Sequence, residues 1–166
     1  MSWASQRNKS ELRVIMANEK HLSEVKAIMI LSLGFYIMGL AVSFFLNIDN
    51  SFFAPSGIIE SLSITLGVFV FSALFFGFLT PLLLLAAGLS HSTMVAENPV
   101  TLIFVAQFLV AAYAGTLLGV NALKDLKGEG NLAKATKKIA MLVVLALALS
   151  IAAQLIIEYA PNIVMP

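Results

Sequence analysis

Four long apolar runs dominate the chain: residues 27–46, 60–89, 99–123 and 139–160. Short polar segments separate them. The first run, AIMILSLGFYIMGLAVSFFL, carries no charge. As a helix it is long enough to cross a hydrocarbon layer of about 30 Å. The third run opens on Pro99, which suits the first turn of a helix, and Pro161 stops the fourth. The second run is too long for one ordinary crossing and too short for two untilted ones. Pro81 sits inside it, with Gly77 and Thr80 just before. A proline removes one backbone hydrogen bond and clashes with the preceding turn, so within an apolar run it marks a kink or a helix end. The segment 47–59 is rich in turn formers (Asp49, Asn50, Pro55, Gly57), and 124–138 is a polar hinge with Gly128 and Gly130.

Composition places these runs in a bilayer. The chain is 60% hydrophobic and 11% charged, against roughly a quarter charged for an average soluble domain. Charge placement then sets the number of crossings. All ten basic residues fall in two places. Arg7, Lys9, Arg13, Lys20 and Lys26 precede the first run. Lys124, Lys127, Lys134, Lys137 and Lys138 lie between the last two. Short basic segments stay on the cytoplasmic side. A single crossing by residues 60–89 would put the two basic segments on opposite sides. Splitting that run near Pro81 removes the conflict: residues 60–79 cross inward, 81–97 return outward and 99–123 cross inward. The expected fold is therefore all-α, a polytopic membrane bundle of five transmembrane helices. The second and third form a hairpin near Pro81. The N-terminus is cytoplasmic and the C-terminus external, in the cell membrane. A variant with the same parity makes residues 60–97 a re-entrant hairpin that never fully crosses.

Residues 1–26 read as a cytoplasmic or interfacial tail, and 27–166 as a single transmembrane domain. In the tail, Leu12, Ile15, Met16, Leu22 and Val25 share one helical face, with Ser10 as the N-cap. Two readings stay open: an interfacial helix, or an extension of the first membrane helix. The tail is too long and too charged for a secretory leader. A net charge of +1 offers no basic surface for nucleic acid, and the absence of Cys excludes disulfides and thiolate chemistry.

Two constellations stand out. The C-terminal half of the third helix carries Ser90, His91, Ser92, Thr93 and Glu97, groups that are costly against bare lipid. They either form a site for a partner or small ligand or satisfy free carbonyls at an interfacial helix end. In the fourth helix Ala111, Gly115 and Gly119 recur every fourth residue, and Ala146 and Ser150 repeat the spacing in the fifth. Such stripes let backbones approach closely. The expectation is packing of the fourth helix on the fifth; the sharper reading is self-association through Gly115 and Gly119. Gln107 and Gln154 are expected to form interhelical hydrogen bonds. Glu60, Glu97 and Glu158 lie near helix ends, and none lies along a midplane pathway of the kind an ion-coupled pump needs. No HExxH, GxSxG or paired-carboxylate pattern occurs, so no catalytic residue, metal or cofactor is assigned.

Three segments together resemble the stage II sporulation protein M family: LTPLLLLAAGLSHSTMV at residues 79–95, AYAGTLLG at 112–119 and LIIEYAP at 155–161. The matching positions are Gly88, Gly115, Gly119, Glu158 and Pro161, carried over as structural residues. Where the family commonly has Asn-Gly, this chain has Ala87-Gly88. The resemblance implies a polytopic membrane protein that scaffolds partners. The expected function is a non-enzymatic membrane scaffold or accessory subunit that contacts membrane lipids and other membrane proteins or itself. The alternative is a transporter or permease subunit with residues 78–97 lining a substrate pathway.

Overall fold

The computed structural model describes residues 3–46, 55–97, 102–128 and 132–159, with side chains from residue 23 onward and, in the third helix, up to residue 92. Among the described residues there are five helices: α1 (Trp3–Leu46), α2 (Ile58–Leu74), α3 (Thr80–Glu97), α4 (Leu102–Leu126) and α5 (Leu132–Tyr159). Among the described residues there is no strand. By length and apolar content, three helical segments suffice to cross a membrane: Ser23–Leu46 within α1, Leu102–Leu126 and Leu132–Tyr159. α2 is a shorter apolar helix.

α1 is continuous from Trp3 to Leu46, 44 residues and so about 66 Å long at 1.5 Å per residue. The polar N-terminal stretch is thus one helix with the first apolar run. The second run divides at residues 75–79. There Phe76 and Gly77 both take left-handed backbone conformations, with φ of 51° and 76°. The Gly77 N–H donates to the Ser72 carbonyl (2.7 Å) and the Phe76 N–H to the Ala73 carbonyl (3.1 Å), the paired bonds that close a helix in a Schellman motif. Phenylalanine replaces the usual glycine at the first left-handed position, which disfavours it by roughly 1–2 kcal/mol. Pro81 then falls in the first turn of α3, where its missing N–H breaks no bond. The proline opens a new helix and does not kink an old one.

Contacts between elements fix the direction of each helix. Ser43 meets Ser92 and Gly39 meets Gly88, so α1 and α3 run parallel. Val25 packs with Leu117 and Val120, whereas Tyr36 packs with Phe108, so α1 and α4 are antiparallel. α2 follows α4 in parallel, with Phe69 at Gly115 and Ala73 at Gly119. Ala146 joins Ala111 and Ala112 in one cluster and Ile139 joins Leu117 and Val120 in another, which sets α5 antiparallel to α4. Successive helices therefore alternate in direction. α4 is the hub and buries residues on nearly every side. α2 and α3 make little contact with each other: α3 lies along α1, and α2 lies against α4 and α5.

Backbones meet directly at two glycine contacts. A side-chain carbon on Gly39 would fall on the Leu85 carbonyl oxygen, and one on Gly88 would fall on the Tyr36 carbonyl oxygen. Gly115 and Gly119 face the carbonyls of Phe69 and Ala73 in the same way. The α4 glycines are thus used on α2, within one chain. This corrects the expectation that they pack α4 on α5. The α4–α5 seam exists, but Ala111, Ala112 and Ala146 fill it.

Gly88→Leu should destabilise the protein by about 1–3 kcal/mol, read as a lower unfolding temperature in detergent. Gly34, which has open space around it, should accept Ala without loss.

Candidate functional site

Beside an apolar core that includes Leu84, Phe104 and Phe108, the interior of the bundle holds many small and hydroxyl-bearing side chains. α1 buries Ser32, Tyr36 and Ser43, and α2 buries Ser61, Thr65 and Ser72. α3 buries Thr80, Ser90, His91 and Ser92. α4 buries Gln107, Thr116 and Asn121, and α5 buries Ser150 and Gln154. Large apolar residues such as Phe44, Phe45, Phe78, Met141 and Val144 point outward. This arrangement suits lipid, where a polar group is satisfied only by another part of the protein.

Buried polar contacts tie the helices together. Between α1 and α3, the Tyr36 hydroxyl lies 3.1 Å from His91 Nδ1, and the Ser43 and Ser92 hydroxyls lie 2.6 Å apart. The His91 ring also meets Phe108 of α4 edge-on at 4.9 Å. Between α2 and α5, the Ser61 and Ser150 hydroxyls are 2.6 Å apart. Gln107 of α4 donates to Ser61 at 3.4 Å. At the α2–α3 turn, Thr80 and Thr116 hydroxyls approach to 3.3 Å. Ser72 Oγ and Gln107 Oε1 are buried without a hydrogen-bond partner. The Ser72 hydroxyl is enclosed where Gly115 brings α4 onto α2.

The polar end of α3 is therefore built into the fold. Ser90 donates to the carbonyl of Ala86 one turn back (3.1 Å). His91 and Ser92 are buried and reach α1. Thr93 and Glu97 belong to α3, but their side chains lie outside the described residues. Of the small-residue positions, Ala111, Gly115 and Gly119 are buried on α4, and Ala146 and Ser150 on α5. Gln107 makes the expected interhelical bond, while Gln154 reaches the Pro55 carbonyl in the segment before α2 (3.4 Å). Glu158 is exposed, and Pro161 lies outside the described residues. Among the described residues, no three His, Cys, Asp or Glu side chains converge to hold a metal.

Sequence reasoning missed Tyr36, Gly39 and Ser43, the α1 half of the α1–α3 contact. Their signal was present: Ser32, Tyr36, Gly39 and Ser43 recur at spacings of four, three and four in an otherwise bulky apolar run.

Among the described residues, the basic side chains gather at one end. Lys124 near the end of α4 pairs with Glu24 of α1 at 3.3 Å. The two basic segments of the sequence thus meet at the same end of the bundle. Lys138 of α5 donates to the Tyr113 hydroxyl at 3.0 Å.

No protein-family model, no curated protein and no solved structure matches this chain.

A double-mutant cycle on Ser61→Ala and Ser150→Ala should give a coupling of about 0.6 kcal/mol, the average for polar contacts within membrane bundles. Unfolding in detergent checks it; additive effects would mean that the two hydroxyls do not interact.

Proposed function

We propose that this chain is a five-span membrane protein with a cytoplasmic N-terminus, an external C-terminus and a scaffolding, non-enzymatic role. The full crossing of α2 and α3 rests on their extent. α2 starts beside Gln154, toward the end of α5. Its last turn stands at Gly119, about 10 Å short of the end of α4 at 1.5 Å per residue. α3 returns from there to the level of Phe108 and beyond. Both basic segments then lie on one side, as the positive-inside preference requires.

One observation carries the scaffolding reading. Ser90, His91 and Ser92, the side chains best placed to line a passage, are spent on contacts within the chain. His91 and Ser92 hold α3 to α1 and Ser90 bonds within α3, which leaves the outer helix faces as the surfaces a partner would meet. The local resemblance to the stage II sporulation protein M family points the same way. Three of its matching positions, Gly88, Gly115 and Gly119, sit at backbone contacts.

Single-cysteine variants at residues 78–92 test this reading in a chain that has no native Cys. Membrane-impermeant thiol reagents should leave positions 88, 91 and 92 unlabelled. Ser56→Cys should react from outside intact cells, and Lys134→Cys only after permeabilisation. A stripe of water-reactive positions recurring every third or fourth residue through α3 would replace the scaffold with a solute pathway.

A further inference from the structure

We propose that the basic end of α5, together with Tyr113 of α4, binds the headgroup of an anionic phospholipid from the cytoplasmic leaflet. This inference rests on the membrane reading but not on the scaffolding role. Lys134, Lys137 and Lys138 are exposed and share one helical face at spacings of three and four. The same face continues as Met141, Val144 and Leu145, all exposed. One stripe therefore runs from three ammonium groups directly into apolar side chains. A phospholipid has the complementary order, with a phosphate at the top and acyl chains below.

Tyr113 supplies the second observation. The Lys138 ammonium lies 5.3 Å from the centre of the Tyr113 ring and donates to its hydroxyl. Lysine at a membrane boundary ordinarily extends its charge toward water. Here the cation is tethered at the α4–α5 seam by a hydrogen bond to the Tyr113 hydroxyl. The neutral hydroxyl fixes the position of the charge without neutralising it, and an ammonium has three donors, so others remain for a phosphate oxygen. The segment 124–138 holds five lysines against two carboxylates, Asp125 and Glu129. Electrostatics therefore selects an anionic headgroup over a zwitterionic one.

Native mass spectrometry of the full chain in mild detergent tests this with phosphatidylglycerol, phosphatidylcholine and inorganic phosphate as probes. The wild type should retain phosphatidylglycerol about tenfold better than phosphatidylcholine, and inorganic phosphate should not displace it. Lys137→Gln with Lys138→Gln should lower the apparent phosphatidylglycerol affinity by about tenfold or more. The paired control Lys124→Gln with Lys127→Gln removes equal charge and should retain most of the preference. Tyr113→Phe, which keeps the ring and the fold, should weaken retention by a smaller factor. Equal retention of the two lipids overturns the proposal, and so does an equal loss in control and test pairs. Displacement by inorganic phosphate would reassign the site to a free anion. A protein that stays in alkali-washed membranes yet shows no lipid preference would sink this inference alone. One that washes off would sink the membrane reading with it.

Discussion

The bundle depends on glycine-to-backbone contact. In a bilayer the tails of the lipid are as apolar as leucine, so burying apolar side chains gives helices little reason to associate. Close approach supplies that reason. At Gly39 and Gly88 the backbones of α1 and α3 meet with a carbonyl oxygen over each glycine, and α2 repeats the arrangement on Gly115 and Gly119. Weak Cα–H···O contacts of this kind contribute about 0.5–1 kcal/mol each. Their larger effect is geometric, since they bring short hydroxyl side chains within bonding reach. Ser43 and Ser92 touch only because Gly39 and Gly88, one turn away, admit no side chain between the helices.

The same constraint shapes the α2–α3 junction. A turn of five residues separates two helices that then face different partners. Gly77 lies against Thr116, where a side-chain carbon would collide. The left-handed pair Phe76 and Gly77 reverses the chain directly on the surface of α4. The polar groups of the interior bond mostly from helix to helix, α3 to α1 and α2 to α5, with Ser72 Oγ and Gln107 Oε1 left over. Cross-links between helices, with bulky apolar residues facing outward, suit a bundle surrounded by lipid.

Much of this was legible in the sequence, once the soluble rule is inverted so that small and polar residues mark the inside. Ser32, Tyr36, Gly39 and Ser43 trace the buried side of α1. Ser61, Thr65, Val68 and Ser72 trace that of α2. The break before Pro81 was readable because proline cannot continue a helix without losing a bond. The meeting of the two basic segments followed from charge alone, and Glu24 on Lys124 realises it. Partner choice was not readable. A small-residue stripe states that something comes close but not what, so Gly115 and Gly119 gave no sign of preferring α2 over α5. The pairing of Ser43 with Ser92 spans 49 positions. It depends on α1 and α3 being parallel, a relation fixed by the whole topology and not by either segment.

The most direct measurement is a disulfide between α1 and α3 in native membranes. The chain contains no cysteine, so Ser43→Cys with Ser92→Cys introduces a single possible pair, at side chains whose hydroxyls stand 2.6 Å apart. Mild oxidation should link them within one chain, visible as a reducible shift in electrophoretic mobility. A control pairing Ser92→Cys with Ile30→Cys, on the exposed side of α1, should stay unlinked. If Ser43→Cys with Ser92→Cys remains reduced, or links only between chains, the parallel α1–α3 contact is wrong and the arrangement built upon it fails.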